Sequence, residues 1–141
     1  ASNGVLYDVI NASPKTITIL NRTEAKAEDM VKRWGAFAKE KGVELKAIEL
    51  HAFNAQGYDL VINGTSSALI DGSSPIADHL FRSETVYYDM TYGFDTPFIL
   101  NAKNKGAKYF DGLGMLISQA AASFTIWHKL KPNTTMVAKT L

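Results

Sequence analysis

Two periods of apolar spacing alternate along the chain. From Asn3 to Asn11, Val5, Leu6, Val9 and Ile10 fall on one stripe, which predicts a short helix. Thr16-Ile17-Thr18-Ile19-Leu20 is β-branched and apolar, follows Ser13-Pro14, and predicts a strand. Ala27, Met30, Val31, Trp34 and Phe37/Ala38 then recur at helical spacing, with Gly42 as the stop. Val43 to Glu49 alternates weakly, as a strand does. Tyr58-Asp59-Leu60-Val61-Ile62 is a nearly continuous apolar run, which predicts a strand buried on both faces of a parallel sheet. A turn-rich loop from Asp71 to Ser74 precedes another strand, Thr85 to Tyr88. Pro97 opens a helix that reaches Lys105 and stops at Gly106. A short strand, Ala107 to Phe110, leads to a last long helix from Leu113 to about Lys129, stopped by Pro132. In that helix Leu113, Leu116, Ile117, Ala120, Phe124 and Trp127 form one apolar stripe.

Strands alternating with helices predict the α/β class, specifically a Rossmann-like doubly wound parallel sheet. Such a fold opens with a strand, a Gly-rich turn and a helix whose N-terminus holds a pyrophosphate. This sequence begins at what reads as that helix. The expectation is therefore a sheet lacking its first strand and Gly-rich loop, either a fragment or a part completed by a second piece of polypeptide. Two unpaired edges would follow, so the chain alone is expected to dimerise, aggregate or need its other half.

Composition narrows the functional classes. The 141 residues carry a net charge of +1, which offers no electrostatic case for nucleic acid or a membrane surface. Cysteine is absent, which excludes disulfides, thiolate nucleophiles and cysteine-zinc sites. His51, His79 and His128 are scattered without ligand spacing, so no metal site is expected. The opening Ala-Ser-Asn-Gly has no basic stretch of the signal-peptide kind, and the expected setting is cytoplasmic. Asn21-Arg22-Thr23, Asn63-Gly64-Thr65 and Asn133-Thr134-Thr135 match the glycosylation triplet, a reading that the cytoplasmic setting argues against.

Ligands of open α/β sheets bind at the carboxyl ends of the strands, and unusual residues gather there. In a dinucleotide-binding unit an acid at the end of the second strand bonds the ribose of NAD, whereas an Arg accommodates the 2′-phosphate of NADP. Asn21 and Arg22 take that place, with Lys26 one turn into the next helix and no carboxylate expected at the spot. Thr23 is placed to cap that helix, where N–H groups favour an anion. This pattern favours NADP; the competing explanation is a basic residue in solvent at a helix start. Asn63-Gly64-Thr65-Ser66-Ser67 offers small residues and hydroxyls for close backbone approach. Asp89-Met90-Thr91-Tyr92-Gly93 places a Met and a Tyr where they can wall a nicotinamide pocket and bind a polar substrate. Asp111-Gly112-Leu113-Gly114-Met115 opens the last helix, with Gln119 on the side that carries this opening.

These segments resemble a known family. Asn21-Arg22-Thr23-Glu24-Ala25-Lys26-Ala27, Tyr58 through Ser67, Tyr88-Asp89-Met90-Thr91-Tyr92 through Thr96-Pro97-Phe98, and Asp111 through Ala121 are similar, in order and spacing, to the signatures of shikimate dehydrogenases. The resemblance covers essentially the whole chain. It implies that residues 1–141 are the C-terminal NADP-binding Rossmann-like domain, and that Ala1-Ser2 end the family's Gly-Ala-Gly-Gly-Ala-Ser loop.

Roles follow residue by residue from that resemblance. Ala1 and Ser2 would meet the cofactor from the loop end. Asn21, Arg22, Thr23 and Lys26 would hold the 2′-phosphate and ribose. Thr65 and Ser66 would line the cofactor path, and Met90 and Gly112 would contact the nicotinamide end. Tyr92 and Gln119 would reach bound shikimate. No residue of this chain is assigned the acid/base step, because the family's catalytic Lys and Asp lie in an N-terminal domain. Gly64 stands where Ala is usual, and Ala68 where Gly is common. The implied reaction is the reversible NADP-dependent reduction of 3-dehydroshikimate to shikimate, in aromatic amino-acid biosynthesis. The isolated chain is expected to be inactive, with its N-terminal domain as its necessary partner. Two alternatives stand beside it. One is an NAD-using quinate/shikimate dehydrogenase, which would carry an acid near Arg22 where Thr23 stands. The other is a non-catalytic Rossmann module, which would have no use for Tyr92 and Gln119.

Overall fold

A computed structural model describes residues 2–54 and 56–140, which fall into two compact units, residues 1–56 and 57–141. Ala1 lies outside the described residues, and Ser2 enters only as the first residue of a helix.

In the first unit, α1 (Ser2–Asn11) leads to β1 (Thr16–Asn21), α2 (Glu24–Glu40) and β2 (Glu44–Glu49). The two strands are parallel, with Ile17 opposite Leu45, Ile19 opposite Ala47 and Asn21 opposite Glu49. The helical stripes close over this pair. Leu6 and Ile10 from α1, Ile19 from β1, Ala27 and Ala38 from α2, and Val43 form the buried core, with Met30, Val31, Trp34 and Phe37 against it. Tyr7 stacks on Phe37 at 5.3 Å, and the Trp34 indole donates to Asn3 Oδ1 at 2.7 Å, which pins α1 to α2. Gly42 ends α2 as expected. Its φ of +71° turns the chain so that Val43 N–H reaches back to Ala38 O, while Gly42 N–H reaches Lys39 O, the paired bonds of a Schellman stop.

The second unit contains β3 (Leu60–Asn63), α3 (Ser67–Ile70), β4 (Val86–Asp89), α4 (Pro97–Asn104), β5 (Tyr109–Phe110), α5 (Leu113–His128) and α6 (Thr134–Thr140). Its sheet runs β3-β4-β5, all parallel. Phe81, Tyr87 and Phe98 are fully buried and meet at ring distances of 4.7 to 5.6 Å. Tyr87 satisfies its buried hydroxyl by accepting from Arg82 N–H at 2.8 Å. Thr96 caps α4, accepting from Ile99 N–H, with Pro97 in the first turn where its missing donor costs nothing.

The parallel α/β expectation is met, with the hydrogen-bonded ladder in two pieces. Two local expectations are corrected. Leu60 is 46% exposed, and Val61 and Ile62 are half-buried, so β3 is not covered on both faces. Among the described residues it pairs with β4 alone, and an apolar run states a preference for burial without supplying the cover. The α5 stripe likewise names a face that little covers: Ile117 is buried, but Phe124 and Trp127 are exposed, Trp127 at 75%. The short helices α3 and α6 were not predicted; each is too short for a periodic signal.

Candidate functional site

The first unit offers a strand end and a helix start. Asn21 closes β1, and its Oδ1 accepts from Thr23 N–H at 3.0 Å, folding the turn into α2. Thr23 occupies the cap position with extended backbone, but its side chain makes no cap bond. The expected hydroxyl cap is therefore corrected: Asn21 orders the turn instead. Arg22 and Lys26 are exposed, and among the described residues neither joins an ion pair. Both cations thus stand available beside the first turn of a 17-residue helix. That donor set suits a phosphate.

A second correction concerns charge. Sequence order suggested that no carboxylate stands here, yet the parallel register sets Glu49 beside Asn21, and Glu24 opens α2. Repulsion from Glu49, and then partial desolvation, raises the Glu24 carboxyl above its ordinary value. The sign for stability follows. A carboxyl raised in the folded state binds protons more readily than in the unfolded chain, so this repulsion weakens the fold at neutral pH and is relieved as pH falls through the raised value. In an NMR titration of side-chain carboxyls, Glu24 should titrate above ordinary glutamates. Glu49→Gln should return it toward the ordinary range; an unchanged Glu24 midpoint would show that Glu49 is not the cause.

In the second unit, the ends of β3 and β4 face each other through polar side chains. Asn63 and Asp89 are in register, and both are buried. Asn63 Nδ2 donates to Asp89 Oδ2 at 3.1 Å, and Thr96 Oγ1 donates to the same oxygen at 2.6 Å. Thr91 N–H donates to Asp89 Oδ1 at 3.0 Å. On the other side, Asn63 Oδ1 accepts from Thr65 N–H at 3.0 Å and from its hydroxyl at 2.8 Å, and Thr65 meets Ser67 Oγ at 3.0 Å. The backbones join as well, Met90 N–H donating to Asn63 O at 2.9 Å. Gly112 N–H donates to Thr91 O at 3.0 Å. A Cβ on Gly112 would lie 2.1 Å from Met90 O, so only glycine permits this approach.

The structure thus brings Thr65, Met90 and Gly112 into one bonded arrangement. Ser66 is exposed at the start of α3, Tyr92 is exposed on the β4 loop, and Gln119 is exposed on α5. The residues that organise these strand ends are Asn63, Asp89 and Thr96, to which the sequence reading gave no role. The available signal was two polar residues closing adjacent strands, inside segments otherwise read for their small and aromatic side chains. A separate cavity of about 630 Å³ is lined by residues including Tyr88, Tyr109, Asp111 and Met115, and, among the described residues, by none of the expected site residues. Burial, and then the Asp111 charge, raises the Tyr88 phenol there.

The family model described as Shikimate 5'-dehydrogenase C-terminal domain matches residues 112–141. A shikimate dehydrogenase (NADP(+)) of Methylobacillus flagellatus is 41% identical over 100% of this chain and 51% of its own length. The crystal structure of shikimate 5-dehydrogenase from Thermus thermophilus in complex with NADP(H) and shikimate shares 31% identity and a TM-score of 0.77, covering 93% of this chain and 46% of that one. A ligand-free 5-ketofructose reductase of Gluconobacter, 29% identical with a TM-score of 0.81, covers 99% of this chain and 51% of that one. The chain spans about half the length of the curated relatives it matches. By sequence and by fold, the chain is similar to shikimate dehydrogenases over about half of their length.

Proposed function

We propose that residues 1–141 form the C-terminal, NADP-binding domain of a shikimate dehydrogenase, which reduces 3-dehydroshikimate reversibly to shikimate in aromatic amino-acid biosynthesis. The observation that carries this reading is the 41% identity across the whole chain to an enzyme of that name. The side chains present fit the cofactor. Arg22 and Lys26 supply cations for a 2′-phosphate, and Asn21 and Thr23 supply polar groups for the ribose; the roles expected of Ala1 and Ser2 lie outside what the structure describes. Thr65 and Ser66 line the path, and Met90 and Gly112, held in an approach that only glycine permits, contact the nicotinamide end. NADPH supplies the hydride when bound. The chain's own residues orient the dinucleotide and hold the substrate through Tyr92 and Gln119, and the acid/base group belongs to the N-terminal domain. A cytoplasmic setting and association through the catalytic domain or a second copy complete the reading.

The test is kinetic, on the product of the complete reading frame. Gln119→Ala and Tyr92→Phe should each raise KM for shikimate more than KM for NADP, because each leaves a substrate polar group unpaired. Normal shikimate kinetics with only a lower melting temperature would make both residues structural and remove the substrate half of the proposal. One observation favours a second reading, an NAD-using quinate/shikimate dehydrogenase: the Glu24 and Glu49 carboxylates beside Asn21. Such an enzyme would prefer NAD over NADP in direct titration, and oxidise quinate.

A further inference from the structure

Asp89 is fully buried, yet among the described residues none of its partners is a cation. Its oxygens accept from the Asn63 amide, the Thr96 hydroxyl and the Thr91 N–H, and donate to nothing. Three donors with no acceptor among them are the bond set of an ionised carboxylate. The rest of the network is aimed toward it. Thr65 N–H fixes which end of the Asn63 side chain is the oxygen, so the amide nitrogen must face Asp89. The Thr65 hydroxyl spends its one hydrogen on Asn63 Oδ1, so Ser67 must donate to Thr65. Ile99 N–H occupies the acceptor side of Thr96, leaving the Thr96 hydrogen for Asp89. Every donor runs one way and ends on this carboxylate.

Burying a charge is costly even when it is hydrogen-bonded, and an apolar side chain would serve mere packing better. What the charge supplies is geometry. Through it, three segments are tied to one point: the loop of Thr65 and Ser66, the loop of Met90 and Tyr92, and the first turn of α4. We propose that Asp89 is a positioning residue that sets these two strand-end loops at one spacing, and so aligns the nicotinamide end of a bound dinucleotide without touching it. This rests on the reading that the loops face NADP.

Asp89→Asn is nearly isosteric and breaks the pattern whichever way the amide turns. With its oxygen toward Asn63 and Thr96, its NH₂ opposes Thr91 N–H; turned over, it opposes the Asn63 NH₂. In the product of the complete reading frame, kcat at saturating NADP and shikimate should fall about tenfold or more, since misplacement of a reacting group is felt mainly in the chemical step. NADP affinity should fall, while affinity for adenosine 2′,5′-bisphosphate, which lacks the nicotinamide, should hold. A merely structural role would weaken both ligands together, and that result would overturn the proposal. So would an unchanged kcat. If Asp89→Asn does not fold, Thr96→Val and Thr96→Ser replace it. The valine variant should show the same split between the two ligands, and the serine variant, keeping the hydroxyl, should restore it; equal behaviour of the two would overturn the proposal. Failure of the unsubstituted protein to bind NADP or the bisphosphate would instead overturn the functional reading, and the proposal with it.

Discussion

Arg22→Ala is expected to weaken NADP binding about tenfold or more in the product of the complete reading frame, with NAD binding nearly unchanged. The magnitude follows from a hydrogen bond to a charged partner, worth about 1.5–3 kcal/mol, where about 1.4 kcal/mol is a factor of ten. Arg22 is exposed and outside any ion pair among the described residues, so its removal strands no buried partner and should leave the fold intact. The loss then reads the 2′-phosphate contact alone. Its size should shrink as salt rises, because exposed charges are screened. Titration of both cofactors against the variant checks this. Equal losses for NADP and NAD would remove Arg22 from the phosphate site, and no loss would leave it as a solvated surface charge.

The second large effect is expected at Gly112. Alanine there would drive a methyl group to 2.1 Å from the Met90 carbonyl oxygen, and backbone on both sides leaves no flexible side chain to yield. Either the β4 loop or the start of α5 must move, and the Gly112 N–H bond to Thr91 O would be distorted. Overpacking of this kind costs about 1–3 kcal/mol of stability. The effect on turnover should be larger, on the order of a hundredfold in kcat, because a shift of about 1 Å at the reacting end has that consequence. Stopped-flow hydride transfer and a melting curve on the same variant separate the two. A Gly112→Ala protein with wild-type turnover would show that Met90 and Gly112 do not shape the nicotinamide end.

The sequence by itself determined the element order and most boundaries. Apolar stripes at helical spacing and β-branched runs are local signals, and Gly42, Gly106 and Pro97 punctuate them as expected. The strand ends that carry Arg22, Thr65, Met90 and Gly112 were legible for the same reason, since motif spacing is written along the chain. Lateral relations were not. That Glu49 lies beside Asn21, putting carboxylates where none were expected, depends on the register of β1 against β2. Whether Leu60 or Trp127 is covered depends on which neighbours a face finds, and an apolar pattern does not name them. Thr23 read as a capping hydroxyl, but its side chain makes no cap bond; Asn21, two residues earlier, orders the turn instead. Only tertiary structure could bring Asn63, Asp89 and Thr96 together, residues separated by 26 and 7 positions whose hydrogen bonds converge on one buried carboxylate. Local propensity acts through near neighbours in sequence, whereas a buried charge is made tolerable only by donors that the folded sheet delivers to it.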